Sequence, residues 1–185
     1  MPVNASNDKL GILAPEFELL DISGNVLSYS NLNGDNGTVV AFICNHCPYV
    51  MTIAERLSKE AKELKKISIN TIAIMSNDVL QYPDDSYENM KIFAKEYSFE
   101  FPYLYDETQE VAKNYGAVCT PDIFGFNKKN LLCYRGRIDS GVIKSDNVKI
   151  ERDLYNAMLK IKNDGVGPEK QYNSFGCSIK WKYNG

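Results

Sequence analysis

Histidine and tryptophan each occur once in the 185 residues. No stretch approaches the roughly 18 apolar residues that a membrane-spanning helix needs. The amino end, MPVNASNDKLGILAPEFELL, lacks a basic segment followed by an apolar one, so it does not read as a secretory signal. Positive charge is not in excess: 21 Lys and Arg stand against 24 Asp and Glu, a net charge of -3. That balance argues against a surface for nucleic acid or anionic lipid. There is no internal repeat and no low-complexity linker. The cysteines number five, an odd count that does not fit a secreted disulfide framework. A second Cys/Cys or Cys/His pair at zinc-ribbon spacing is missing, which argues against structural zinc. What remains is an ordinary globular composition, long enough for its own core. The cytoplasm is the expected compartment, and neither a metal nor a cofactor is expected.

The patterns present are those of an α/β protein. EFELLDISGNVLSYSNL reads as a hairpin turning at Ser23-Gly24-Asn25. Thr38 to Ile43 and Asn70 to Ser76 are continuous β-type runs, as expected of strands buried on both faces. Between them Val50, Ala54, Leu57, Ala61 and Leu64 recur at steps of four and three, a helical stripe. Ser86 is the expected N-cap of a second helix whose apolar face is Tyr87, Met90, Phe93, Ala94 and Tyr97. FPYLYD reads as a strand, and ETQEVAKNYG as a short helix stopped by Gly116. DIFGFN and NLLCYRGR follow as an antiparallel pair. A last helix over Glu151 to Asn163 faces inward through Leu154, Ala157, Met158 and Ile161. This order predicts an α/β sandwich around a central mixed sheet flanked by helices. One domain is expected, with a lead over 1–12, a core over 13–163 and a tail over 164–185. Phe175, Ile179 and Trp181 should dock the tail on the body.

The chemistry concentrates in CNHC, Cys44 to Cys47, at a strand-to-helix junction. A cysteine at a helix N-terminus faces unsatisfied N–H groups and the positive end of the dipole, which stabilise its thiolate. Such thiols titrate anywhere from about 3.5 to about 7.5. Cys44 is the expected nucleophile, more exposed and of lower pKa. Cys47, nearly a turn further on and deeper, suits a resolving thiol. His46 between them would stabilise the thiolate further, and Pro48 fits the first helical turn, where its missing N–H costs nothing. Thr120-Pro121 starts the antiparallel pair, where a cis-proline loop can face the cysteine helix. Cys119 is a third redox thiol or a small side chain in a crowded loop. Cys133 reads as a small buried hydrophobe, Cys177 as a peripheral free thiol or a partner for the active site, and the acidic YPDDSYE as a solvated helix-entry loop or a segment that shapes substrate access. Three readings stay open: a thiol–disulfide oxidoreductase, a thiol peroxidase, and a thiolate metal-binding module.

VVAFI, CNHC and TPDIF together resemble the thioredoxin superfamily. More closely, FICNHCPYV, SNDVLQYPDDSYENM, FPYLYDETQEVAKNYGAVCTPDIF, YRGRID and GCSIKW resemble the peroxiredoxin-like branch of the alkyl hydroperoxide reductase/thiol-specific antioxidant (AhpC/TSA) group, from about Leu13 to Trp181. The resemblance implies a thioredoxin-like fold with an added N-terminal β-hairpin and a mid-chain insertion. It implies Cys44 as nucleophile, Cys47 as resolving thiol and substrate-strand docking at Thr120 and Pro121. The implied partners are protein or small-molecule disulfides and thiols, and a protein that reduces or oxidises the pair. The chain also departs from the pattern. Peroxiredoxins place the peroxidatic cysteine at the position of Cys47, with Thr or Ser three residues earlier and Pro seven earlier; here Cys44 and Val40 stand there. No arginine is expected beside the Thr120-Pro121 loop, which argues against efficient peroxide reduction. Ile43 replaces the Trp that precedes the first cysteine of thioredoxin.

Overall fold

The computed structural model describes residues 2–5, 10–141 and 150–183. Met1 and 6–9 of the expected lead, and 184–185 of the tail, lie outside them. The central strand is β4, Gly37–Phe42, flanked by β5, Ile69–Met75, in parallel and by β8, Asp122–Asn127, antiparallel. All six residues of β4 are buried, because alternate side chains enter two different cores. Val39 and Ala41 face one with Ile43, while Val40 and Phe42 face the other.

The remaining strands extend the sheet outward. β6, Tyr103–Tyr105, runs parallel to β5, and beyond it lie β2, Glu18–Asp21, and β3, Val26–Ser28, the expected hairpin. β9, Leu132–Gly136, pairs with β8 on the other edge. The mixed sheet therefore has seven strands in the order β3-β2-β6-β5-β4-β8-β9. The tyrosine of VLSYS is not strand: Ser28 accepts from the Asn31 amide at 3.2 Å and starts a short helix, α1, Tyr29–Leu32.

Three helices cover one face. α2, Pro48–Lys65, buries Val50, Ala54, Leu57, Ala61 and Leu64, the expected stripe. α3, Tyr87–Glu96, is capped by Ser86 and buries Met90, Phe93 and Ala94. α5, Asp153–Asp164, buries Leu154, Ala157, Met158 and Ile161. The opposite face is an aromatic cluster of Tyr29, Phe42, Tyr115, Phe124 and Phe126, closed by α4, Glu110–Tyr115, which ends at Gly116 with φ 67.

The tail docks on the body mainly by strand pairing: of the three apolar residues expected to hold it, Ile179 is buried, whereas Phe175 and Trp181 stay exposed. β10, Phe175–Ser178, lies between β1, Pro2–Asn4, and β7, Cys119–Thr120, in a second, antiparallel sheet. Lys180 anchors its end: its amide donates to Asn77 Oδ1 at 2.8 Å, and its carbonyl accepts from Asp78 N and Gln109 Nε2, both at 2.8 Å. Among the described residues, no helix is long and apolar enough to cross a membrane.

Candidate redox site

CNHC bridges the end of β4 and the start of α2, with Pro48 in the first helical turn as expected. The N-cap of α2 is Cys47, so the free N–H groups of the first turn serve Cys47 rather than Cys44. Cys44 does not stand out as an exposed thiol: both cysteines are buried, at 1% and 0% relative exposure. The helix terminus expected at Cys44 therefore falls at Cys47, and both thiols lie inside.

The sulfurs converge on one residue of the facing loop. Cys44 Sγ lies 3.3 Å from Thr120 Oγ1, and in the dithiol Cys47 Sγ donates to the Thr120 carbonyl at 3.2 Å. The Thr120-Pro121 peptide is cis. Hydrogen bonding between the two thiols divides their acidities. The Cys44 thiol donates to Cys47 and lowers it to about 4, against its burial and with help from the Val50 and Cys177 amides. That same bond, then burial and the Asp85 charge, push the Cys44 thiol well up. On ionisation Cys47 turns from donor to acceptor, and those donors outweigh the repulsion of the Thr120 carbonyl.

Asp85 organises the segment. The acidic loop, read as solvated or as shaping access, forms a 3₁₀ turn, Pro83–Asp85, that sends this carboxylate inward to 0% exposure. It accepts from the Asn45 amide at 2.8 Å, the His46 amide at 3.3 Å and Asn77 Nδ2 at 2.7 Å. Burial would raise its pKa, but His46, Asn77 and Asn45 hold it below the usual range. His46 Nδ1 sits 2.8 Å from Asp85 Oδ2. No directed hydrogen bond satisfies that nitrogen, so the contact is one of charge rather than of an aligned N–H. The Asp85 carboxylate raises the imidazole pKa, and the ring stacks on Tyr82 at 5.5 Å and 9°. Tyr103 fixes the last member by donating to Asn45 Oδ1 at 3.0 Å. Nothing in the spacing of YPDDSYE separates a buried aspartate from a solvated one.

The other cysteines redistribute. Cys177, read as peripheral or as a partner for the active site, is opposite Thr120 in the β10–β7 register and packs on the core that holds Cys44 and Cys47. Burial first, then the neighbouring Cys47 side chain and its charge, raise the Cys177 thiol. Cys119 is buried, its thiol directed at the Pro121 carbonyl at 3.5 Å, and burial pushes it up strongly. Cys133 is half-buried and points at the Gly165 carbonyl.

An arginine does approach the proline loop. Arg135 reaches across from β9, donating to Asp122 Oδ2 at 2.7 Å and to the Gly116 carbonyl at 2.8 Å. Its charge is balanced by Asp122, the residue after Pro121, and lowers Cys119 rather than featuring in the shifts of Cys44 or Cys47. Substrate-strand docking at Thr120 meets an obstacle, because β10 already occupies that edge. A cleft of about 680 Å³ opens on the other side of Pro121, walled by Tyr49, Thr52, Arg137, Tyr172 and Phe175; neither cysteine of the pair lines it. Cys44, His46 and Asp85 could offer a metal three ligand atoms within 4.8 Å of one another. The Asp85 oxygens are already engaged by three N–H groups, and zinc would need a fourth ligand.

A mixed sheet covered on both faces, with Cys-x-x-Cys between strand and helix and a cis-proline opposite, is the architecture of the thioredoxin superfamily. Within it the chain belongs to the AhpC/TSA family, whose model matches residues 10–138. An uncharacterized conserved protein from Geobacillus kaustophilus is 41% identical, with 100% of this chain and 98% of that one covered and a TM-score of 0.94. A hypothetical protein from Sinorhizobium meliloti is 34% identical over 97% and 98%, with a TM-score of 0.91. The thioredoxin domain of a thiol-disulfide oxidoreductase from Bacteroides vulgatus shares the fold at 18% identity, over 83% and 98%, with a TM-score of 0.64. No curated protein sequence matches the chain significantly.

Proposed function

We propose that the chain is a thiol–disulfide oxidoreductase cycling Cys44 and Cys47 between dithiol and disulfide. The observation that carries this is the meeting of both sulfurs at Thr120 beside its cis peptide bond to Pro121, Cys44 Sγ 3.3 Å from the hydroxyl and Cys47 Sγ 3.2 Å from the carbonyl. Cys47, not Cys44, is the N-cap of α2, where the helix end favours a thiolate, and this reverses the roles expected from sequence. Cys47 attacks a disulfide R–S–S–R′, forming Cys47–S–S–R and releasing R′S⁻. Cys44, once deprotonated, attacks Cys47 Sγ, expels RS⁻ and closes the Cys44–Cys47 bond. The substrates are protein or small-molecule disulfides, and a thiol or disulfide partner resets the pair. His46 and Asp85 position the segment, and Thr120 and Pro121 form its opposite wall. A reducing compartment, the cytoplasm on the sequence reading, keeps the resting state a dithiol. Neither sulfur is exposed, so attack on a bulky disulfide requires the cover over them to move.

A C44S/C177S variant, with both neighbouring thiols removed, should accumulate a mixed disulfide through Cys47 when treated with a disulfide-bonded protein. Accumulation only in C47S, through Cys44, would restore the sequence-based order, and accumulation in neither would remove the oxidoreductase reading.

Burial also favours a second reading, thiol peroxidase, since a peroxide is small enough to reach a covered sulfur. Cys47 thiolate would take the terminal oxygen of ROOH, becoming sulfenic acid and releasing ROH. Cys44 would then condense with it, releasing water. Stopped-flow oxidation by hydrogen peroxide no faster than that of a free thiol would discard this reading.

A further inference from the structure

Cys47 has two thiol neighbours, and only one of them belongs to CNHC. The other, Cys177, arrives on β10, whose register places it directly opposite Thr120, the residue whose carbonyl accepts from Cys47. The approach is tight: a Cβ on the preceding Gly176 would collide with that same carbonyl. The strand is also pre-positioned, by β1 on its far edge and by the hydrogen bonds that pin Lys180 to Asn77, Asp78 and Gln109. Cys119 is nearer in sequence to the proline loop, but its thiol is directed at the Pro121 carbonyl.

We propose that Cys177 is a second exchange partner of Cys47, so that the site works with three thiols. The inference rests on the Cys47-centred chemistry proposed above. From the mixed disulfide Cys47–S–S–R, the Cys177 thiol gives up its proton and its sulfur attacks Cys47 Sγ. The bond to R breaks, RS⁻ leaves and takes up a proton, and a Cys47–Cys177 disulfide forms. Deprotonated Cys44 then attacks Cys47 Sγ and expels the Cys177 thiolate, which is reprotonated. The net change is a two-electron oxidation of two protein thiols and reduction of R–S–S–R′ to two thiols. The timing has a physical basis. The charge of the neighbouring Cys47 side chain helps keep Cys177 protonated, and it vanishes once Cys47 is bonded to R. Lys180, which favours the Cys177 thiolate, remains.

The test uses the full-length chain and oxidised glutathione. A reduced C44S variant should lose its glutathione adduct and yield a Cys47–Cys177 cross-linked peptide on non-reducing proteolysis and mass spectrometry. The double variant C44S/C177S should retain glutathione on Cys47. Retention of the adduct in C44S, with no cross-linked peptide, would overturn the proposal. C44A gives the same two readouts should C44S fold poorly. The wild-type chain separates the two levels of the argument: a Cys44–Cys47 peptide with a stable C44S adduct removes only the role of Cys177. Absence of any Cys44–Cys47 peptide removes the underlying couple.

Discussion

Reduced Cys47 should be ionised through most of the accessible pH range, because the donors around it act only on the charged form. Thiolate absorbance of the reduced protein should rise with a midpoint near about 4 and vanish in C47S. In C44A the midpoint should move up, since the largest stabilising donor is gone. The linkage to stability follows in sign. A thiol whose folded pKa is depressed contributes stability above its unfolded value of about 8.5. That contribution is lost as pH falls through about 4. The melting-temperature difference between wild type and C47S should therefore shrink on acidification. His46 runs the other way: the Asp85 charge raises it, so its contribution is complete below about 6.5 and is lost as pH rises through the folded value. As the only histidine, it gives one NMR titration, which D85N should move to lower pH; an unchanged midpoint would contradict the pairing. D85A should also cost about 1–3 kcal/mol in denaturant melts, by leaving buried N–H groups unpaired. CNHC and its neighbours were legible as residues. The charge on each sulfur was not, because it depends on where α2 starts and on an aspartate from a distant loop.

At the scale of elements, the helices and central strands follow from periodicity, and the structure places the same stripes inward in α2, α3 and α5. Two features escaped. Pro48 opens the helix as expected, but the N-cap is Cys47 rather than Cys44, a shift of three residues that moves the helix-terminal N–H groups from one sulfur to the other. The pairing of β1, β10 and β7 joins the two ends of the chain to the proline loop, and strands of two to four residues carry too little alternation to announce it. Gly176 is the sensitive point of that sheet. G176A should force β10 away from the Thr120 carbonyl, shift the fluorescence of Trp181 downstream and loosen the Cys47–Cys177 contact. Unchanged fluorescence and unchanged thiol reactivity would show that β10 does not hold Cys177 in place.

For the whole molecule, the two cores on either side of the sheet leave the site at the seam where β4, α2, the proline loop and β10 meet. The buried Arg135–Asp122 pair supports that seam behind Pro121. Removing the guanidinium in R135A should cost about 3–5 kcal/mol, because Asp122 would remain buried and uncompensated. The α/β architecture was readable from the order of patterns, whereas the convergence of Cys44, Cys47 and Cys177 on Thr120 is a property of the closed fold alone. The central claim is that Cys44 and Cys47 form a reversible couple whose reduced state is favoured by a stabilised thiolate. Redox titration against glutathione buffers, read by alkylation of these two cysteines, tests it most directly. The account predicts one two-electron transition with a potential nearer about -120 mV than about -270 mV. Failure of Cys44 and Cys47 to form a disulfide at any poise, or a potential at or below about -270 mV, would contradict it.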